Sequence, residues 1–124
     1  MDKAQAMYSF WAGFDWLAID EQSAYDTTFD PPEKYITYEA AFDGFDAPVA
    51  IGADLWHRSM SWAEISRKAE EISEAIGRGG KMIPYDGGAI WITRGSPFSQ
   101  HLNADTNYDV RRIHININAE FLSA

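Results

Sequence analysis

Residues 61–77 read SWAEISRKAEEISEAIG and contain an apolar stripe together with both ends of a helix. A capping box is predicted from Ser61 and Glu64, whose side chains would satisfy free backbone N–H groups of the first turn. Gly77 is the residue type that ends helices in the left-handed conformation. Apolar residues recur between these ends at steps of three and four, which places them on one helix face: Trp62, Ile65, Ala69, Ile72 and Ile76.

The opposite face of this helix is charged. Glu64 with Lys68, and Arg67 with Glu71, are spaced as i,i+4 ion pairs, each worth a few tenths of a kcal/mol in solvent. A solvated face is favoured over a binding face for this charge run. The helix is therefore predicted to be a scaffold element that packs on a β-sheet.

Alternating apolar and polar residues predict strands on both sides of the helix. The predicted strands cover residues 34–42, 49–58, 81–85, 89–94 and 112–121. Turns at residues 43–46 and 86–88 join neighbouring strands as antiparallel hairpins.

The N-terminal part predicts one further helix. Asp2 and Gln5 look like a cap pair for a helix over residues 3–13. A short strand follows at residues 17–19. Residues 21–32 contain two consecutive prolines and are predicted to form a loop.

These patterns predict a single domain over residues 1–124 of the α+β class. Its expected architecture is a mainly antiparallel β-sheet of about four to five strands with two α-helices packed on one face. A chain of 124 residues is long enough to bury a core of its own.

The formal net charge of −9 is concentrated in the first half of the chain. Residues 1–60 contain eleven acidic and three basic residues, whereas residues 61–124 contain eight and seven. Proteins that grip nucleic-acid backbones cluster Lys and Arg, so specific nucleic-acid binding is disfavoured. Without cysteine, a signal peptide or an apolar run of spanning length, a soluble protein of a reducing cytoplasm is expected, with no membrane association.

Aromatic residues make up 15% of the chain and include five Trp, a content that favours contact surfaces. Trp56 and Trp91 fall on outward rows of the predicted strands. Two interpretations stay open: a second small cluster with Tyr35 under a loop, and a contact between subunits.

A long polar connection is predicted over residues 95–109. We expect it to be mobile in the isolated protein and to become ordered against a neighbour, because its composition cannot bury itself. It adds further candidate interface residues, namely Pro97, Phe98, Gln100, His101, Asn103 and Tyr108.

No catalytic, metal or cofactor motif is recognisable. Residues 77–81 are similar to a phosphate-binding loop, but they follow a helix and lack the Ser or Thr after the Lys. The histidines lack metal-ligand spacing. Ser96, His101 and Asp105 share one loop without a nucleophile elbow. The chain is therefore predicted to be neither an enzyme nor a cofactor-binding protein.

Four stretches carry a resemblance to a known family: YITYE (35–39), LWHRSMSWAEISRKAEEI (55–72), GGAIWITRGSPFSQ (87–100) and RRIHININAEFL (111–122). They resemble small tail-gene-cluster proteins of long-tailed bacteriophages of Gram-positive hosts, and are similar to tail completion or tail terminator proteins. The resemblance runs from about Tyr35 to Leu122, and the N-terminal residues match only loosely.

The resemblance implies a phage structural protein without catalytic residues. Such a subunit closes into a ring, expected to be a hexamer, on top of the tail tube, stops tube growth and offers the surface to which the head docks. Its expected partners are other copies of itself, the tail tube protein and the head-tail connector or head-closure protein. Its expected place is the head-proximal end of the virion tail, after assembly in the bacterial host cytoplasm.

A ring through which the genome travels must not bind DNA, and an acidic bore repels phosphates. The acidic bore or rim is predicted to include some of Asp20, Glu21, Asp26, Asp30, Glu33, Asp43 and Asp46. Scattered surface carboxylates that serve only solubility are the alternative.

Two other functions stay open at this point. One is another structural role at the head-tail junction, as a head-closure or minor tail protein. The other is a monomeric small-ligand-binding domain in which residues 95–109 form a lid over a concave apolar pocket.

Overall fold

The computed structural model describes residues 1–26, 28–44, 47–104 and 108–123. Three helices and six strands form along these residues: α1 Lys3–Ala12, β1 Leu17–Asp20, α2 Glu21–Ala24, β2 Lys34–Tyr38, β3 Val49–Arg58, α3 Ala63–Ile76, β4 Lys81–Tyr85, β5 Gly88–Leu102 and β6 Val110–Ser123. The α+β class predicted from the sequence is confirmed.

One mixed sheet contains all six strands in the order β1-β2-β3-β6-β5-β4. Four neighbouring pairs are antiparallel, and β1 lies parallel to β2. The sheet therefore has more strands than the four to five predicted, and the parallel pairing of the predicted strand at residues 17–19 with β2 was not predicted. Two parallel strands need a crossover connection, which is usually a helix. The connection between β1 and β2 contains only a four-residue helix, too short to show a helical period in the sequence.

α1 and α3 pack on one face of the sheet and share a single hydrophobic core with it, as predicted. The largest fully buried side chains come from both layers: Met7, Trp11, Ile36, Leu55, Ile65, Ile72, Ile76, Ile90, Ile92, Ile113, Ile115 and Ile117. α1 contacts both edge strands, β1 and β4, so the sheet curls around this helix.

α1 begins at the predicted capping box. Asp2 accepts a hydrogen bond from the Gln5 N–H at 2.8 Å, and the Gln5 side chain accepts one from the Asp2 N–H at 2.9 Å. Trp11 stacks on Tyr38 with ring centroids 6.4 Å apart, which holds the helix against β2. The predicted helix is confirmed to within one residue at its end.

α3 keeps the predicted apolar face but not the predicted capping box. Trp62 is the N-cap without a side-chain hydrogen bond, and Ser61 Oγ accepts from the N–H two residues further on at 3.1 Å. Glu64 turns towards β2 instead, where its carboxylate lies 2.6 Å from Lys34 Nζ. Gly77, with a φ of 74°, ends the helix as predicted. The predicted capping box is wrong because Lys34 of β2 pairs with Glu64, which then does not bind the backbone at the start of α3.

The charged face of α3 also pairs differently from the prediction. Lys68 Nζ donates to Glu71 at 3.1 Å and to the Phe14 carbonyl at 2.7 Å. Among the ion pairs of the described residues, Glu71 therefore pairs with Lys68 and not with Arg67. Lys68 ties α3 to the segment that follows α1.

Residues 21–33, here called the crossover, lead from β1 back to β2 on the face opposite to α1 and α3. The predicted loop is corrected here, because residues 21–24 form the short helix α2 with Asp20 as its N-cap. Phe29 packs on Tyr35, whose side chain lies on the outer face of β2. One end of this outer face is therefore covered.

β5 is longer than predicted and replaces most of the predicted connection. After a bulge it resumes pairing with β6 at Ser99, and Phe98 packs against the core. The predicted connection over residues 95–109 is therefore wrong up to Leu102. A glycine and a proline at the bulge interrupt the alternation of side chains, which hides the strand in the sequence. Residues 105–107 of the predicted connection lie outside the described residues.

Two N-terminal strands differ slightly from the prediction. β1 extends to Asp20, and β2 ends at Tyr38 instead of residue 42. Within the described residues, no helix has the length and apolar character needed to span a membrane.

Candidate contact surfaces

A ladder of three side chains crosses the outer face of β2, β3 and β6. Tyr35, Trp56 and Arg112 are direct cross-strand partners. The rings of Tyr35 and Trp56 are stacked, with centroids 6.0 Å apart and planes 10° apart. The Arg112 guanidinium lies 5.0 Å from the centroid of the Trp56 ring, within the range of a cation–π interaction. Burial raises the pKa of the Tyr35 phenol above its ordinary value.

The next row along the sheet is a polar network centred on Asp54. Its Oδ1 accepts a hydrogen bond from Arg112 Nε at 2.9 Å and lies 3.0 Å from His114 Nδ1. Only 10% of the Asp54 side chain is exposed. The neighbouring Trp56 Nε1 donates to Thr37 Oγ1 at 3.0 Å. Within the described part of the chain, Asp54 Oδ2 accepts no hydrogen bond.

The crossover covers these two rows and leaves a cleft of about 420 Å³ between itself and the sheet. This outer-face cleft is lined by Glu21, Ala24, Tyr25, Phe29, Pro31, Tyr35, Thr37, Asp54, Trp56 and Arg112. Its walls combine four aromatic rings with two carboxylates and one guanidinium, a formal charge of −1. The segment 20–33 above it contains five acidic and no basic residues. Aromatic walls under an acidic rim suit a cationic group better than an anion.

Trp56 and Trp91 do not form one outward row. Trp56 pairs with Arg112 on β6, whereas Trp91 pairs with Glu120, eight residues further along that strand. This separation is about 26 Å along the strand, at about 3.3 Å per residue. Trp56 belongs to the cluster with Tyr35 under the crossover, which is the first of the two interpretations left open by the sequence.

Trp91 lies in an apolar patch at the β4 edge of the sheet. It is the cross-strand partner of Met82, and both are exposed, by 39% and 52%. These two side chains are here called the edge patch. Trp91 Nε1 donates to the carbonyl of Gly79 at 3.0 Å, which places the turn after α3 against the patch. Arg78, in this turn, and Lys81, the residue before Met82 on β4, are both exposed.

A second apolar patch lies at the opposite end of the sheet, beside the tip of the β5–β6 hairpin. Met60, Leu102 and Tyr108, here called the tip patch, are exposed by 63%, 37% and 81%. Arg111 donates to the backbone carbonyls of Met60 and Tyr108, both at 2.9 Å. Leu102 is the cross-strand partner of Arg112, so the tip patch adjoins the outer-face cleft.

Of the other residues predicted for an interface, some pack within the subunit and the rest are exposed. Phe98 is half-buried against the core. His101 stacks on Trp62 with ring centroids 3.9 Å apart, although one face stays exposed to solvent. The remaining predicted interface residues on this hairpin are exposed: Pro97, Gln100, Asn103 and Tyr108.

The predicted acidic residues do not form one surface. Most lie on the crossover and at its ends: Asp20, Glu21, Asp26, Asp30 and Glu33. Hydrogen bonds from Thr28 hold the pKa of Asp26 below its ordinary value. Asp43 pairs with Lys3 of α1, which packs on the opposite face of the sheet. Asp46 lies outside the described residues.

His57 joins three elements from a buried position. Its Nε2 lies 3.3 Å from Glu64 of α3 and 3.7 Å from Glu33 at the end of the crossover. Its Nδ1 is buried without a hydrogen-bond partner among the described residues. The hydrogen bond from Lys34 lowers the pKa of Glu64 and raises that of Lys34. This group anchors the crossover to α3.

Sequence reasoning missed the pairing of Asp54 with Arg112 and the cations beside Trp91. An aspartate inside an otherwise apolar strand signals a buried partner, but the partner follows only from the strand register. In the sequence, Arg78 stands out only as part of the run 77–81, which is similar to a phosphate-binding loop. Its place beside an exposed Trp depends on how the turn after α3 folds onto β5.

No group of three His, Cys, Asp or Glu side chains in the described ranges is placed to hold a metal ion. Ser96 and His101 lie on β5, and Asp105 is outside the described residues. Neither a scan against protein-family models nor a search of curated proteins finds a match for this chain.

Proposed function

We propose that the protein is a tail terminator or tail completion protein of a long-tailed bacteriophage. In this role it is a structural, non-catalytic subunit that forms a hexameric ring on the head-proximal end of the tail tube. The ring stops growth of the tube and presents the surface to which the head-tail connector or head-closure protein binds. The four stretches that resemble this family support the role.

A pair of separate apolar patches on one subunit carries the proposal. The tip patch and the edge patch lie at opposite ends of the sheet, beside Arg112 and Glu120 of β6. A closed ring needs heterologous contacts, in which one surface of each copy meets a different surface of the next. Exposed Trp, Tyr and Met side chains are typical of such contacts, because leaving them in water forfeits their burial energy.

The acidic residues have a second proposed role in this assembly. Asp26 and Asp30 are exposed on the crossover and are free to face the central opening. Carboxylates there would repel the phosphates of passing DNA. Asp43 is a weaker candidate for this rim, because Lys3 already neutralises it.

The alternative function, a small-ligand-binding domain, is less well supported because most of its predicted lid is part of the sheet. Residues 99–102 pair with β6, and Phe98 is packed on the core, so the segment 95–102 is not free to close over a pocket. A head-closure or minor tail role remains the competing structural proposal, and tail length distinguishes it from a terminator.

Deletion of the gene from its phage tests the proposed role. Without a terminator, tail tubes should grow to uncontrolled lengths and stay separate from filled heads, and the wild-type gene supplied in trans should restore uniform tails. Electron microscopy of lysates measures both effects. Headless tails of normal, uniform length would contradict the terminator role and favour head closure.

A further inference from the structure

We propose that Arg78 of one copy binds at the acidic mouth of the outer-face cleft of the next copy, beside Glu21. This contact rests on the proposed ring, and it names the charged pair that sets the direction of the ring. It joins the surface around the tip patch of one subunit to the surface around the edge patch of its neighbour.

The accepting side is an acidic site with aromatic walls. Glu21 lines the cleft, and its only side-chain hydrogen bond from the described residues is a long one from Tyr25, at 3.4 Å. Asp54 lines the same cleft and adds a second carboxylate to it. The Trp56 ring is already covered by Tyr35 on one side and by the Arg112 guanidinium on the other, so Glu21 is the group that binds a further cation. A guanidinium that donates to Glu21 can also stack on Tyr25, which lines the cleft and is 72% exposed.

The donating side is a cation held beside an apolar surface. Arg78 is exposed in the turn between α3 and β4 and forms no ion pair with the described residues. The next residue, Gly79, accepts the hydrogen bond from Trp91, so the backbone next to Arg78 is held against the edge patch. Lys81 adds a second positive charge at the start of β4.

The two sides complement each other, but they cannot meet within one subunit. The cleft adjoins the tip patch through Leu102 and Arg112, and about 26 Å of β6 separates this end of the sheet from Trp91. The cation beside the edge patch therefore needs the cleft of another molecule. In this contact the edge patch of one subunit packs against the tip patch of the next, and Arg78 of the first subunit binds Glu21 of the second. Such an arrangement is a head-to-tail contact.

A charge swap tests the contact. Arg78→Glu and Glu21→Lys should each raise the protein concentration needed for ring assembly by about tenfold or more, because each places like charges together. The double variant should assemble within about threefold of wild type, since it restores the pair with reversed sign. Analytical ultracentrifugation in the presence of tail tube protein measures assembly, and circular dichroism checks that each variant is folded.

Two exposed charges of α3 supply matched controls. Arg67→Glu and Glu70→Lys change net charge by the same amounts but lie on the other face of the sheet, so assembly should be unchanged. Single variants that assemble like wild type, or a double variant no better than the singles, overturn the contact and leave the proposed ring standing. If wild-type protein forms no ring even with tail tube protein, both the contact and the proposed function fail.

Discussion

Asp54 links β3 to β6 on the outer face of the sheet through its carboxylate. Its carboxylate is almost fully buried, and an unpaired buried charge costs several kcal/mol. Arg112 and His114 of β6 both bind its Oδ1, so the pairing of β3 with β6 is supported by polar contacts as well as by the core. These partners lie 58 and 60 residues further along the chain. That distance explains why the sequence reveals the acid but not its partners.

Glu64 supports a prediction about pH. Because the hydrogen bond from Lys34 lowers the pKa of Glu64 below its ordinary value of 4.5, ionised Glu64 stabilises the folded state above that value. The stabilisation is lost as the pH falls through the lowered pKa. Glu64→Gln should therefore be less stable than wild type at pH 7, with the difference vanishing in acid.

Urea denaturation at a series of pH values measures this difference. Glu70→Gln is the matched control, since Glu70 is exposed on the same helix and forms no ion pair with the described residues. If the difference in the free energy of unfolding between wild type and Glu64→Gln persists unchanged to pH 3, the contact with Lys34 does not cause the difference.

The β5–β6 hairpin shows at the scale of an element why part of the fold was predictable. β6 alternates strictly between core and polar residues, and its limits were predicted to within two residues at each end. β5 loses this alternation at the bulge, where Gly95 and Pro97 mimic a loop. The parallel strand β1 has four residues, too few for a period to reveal its partner.

The hairpin also gives a prediction that separates folding from assembly. Replacing residues 103–109 with a short Gly-rich turn should preserve stability, because it leaves the paired part of β5 in place, but should abolish tail completion by removing Tyr108. Replacing residues 95–109 should lower the free energy of unfolding by about 2 kcal/mol or more, since the core contact of Phe98 is lost as well.

Urea denaturation and complementation of a phage that lacks the gene measure these two effects. Equal stability of the two shortened proteins would contradict the assignment of residues 99–102 to a paired strand. Infectious particles formed with the 103–109 replacement would remove the tip patch from the proposed assembly.

At the scale of the whole molecule, the core and the contact surfaces occupy different regions. α1, α3 and one sheet face supply the core, and periodicity in the sequence was sufficient to predict this layer. The cleft and the two patches arise from strand register and from loop packing. The periodicity of a sequence indicates neither strand register nor loop packing. The sequence therefore identified Trp91 and Tyr108 as exposed candidates but did not place them at opposite ends of a sheet.

The central claim is that this chain forms a closed ring at the end of a tail tube. The most direct measurement is the mass of the assembled species, by mass photometry or analytical ultracentrifugation, with and without purified tail tube protein. A hexamer bound to tube ends, together with a halt in tube elongation, is the predicted result. A protein that stays a 14.0 kDa monomer and leaves tube growth unaffected would contradict the account.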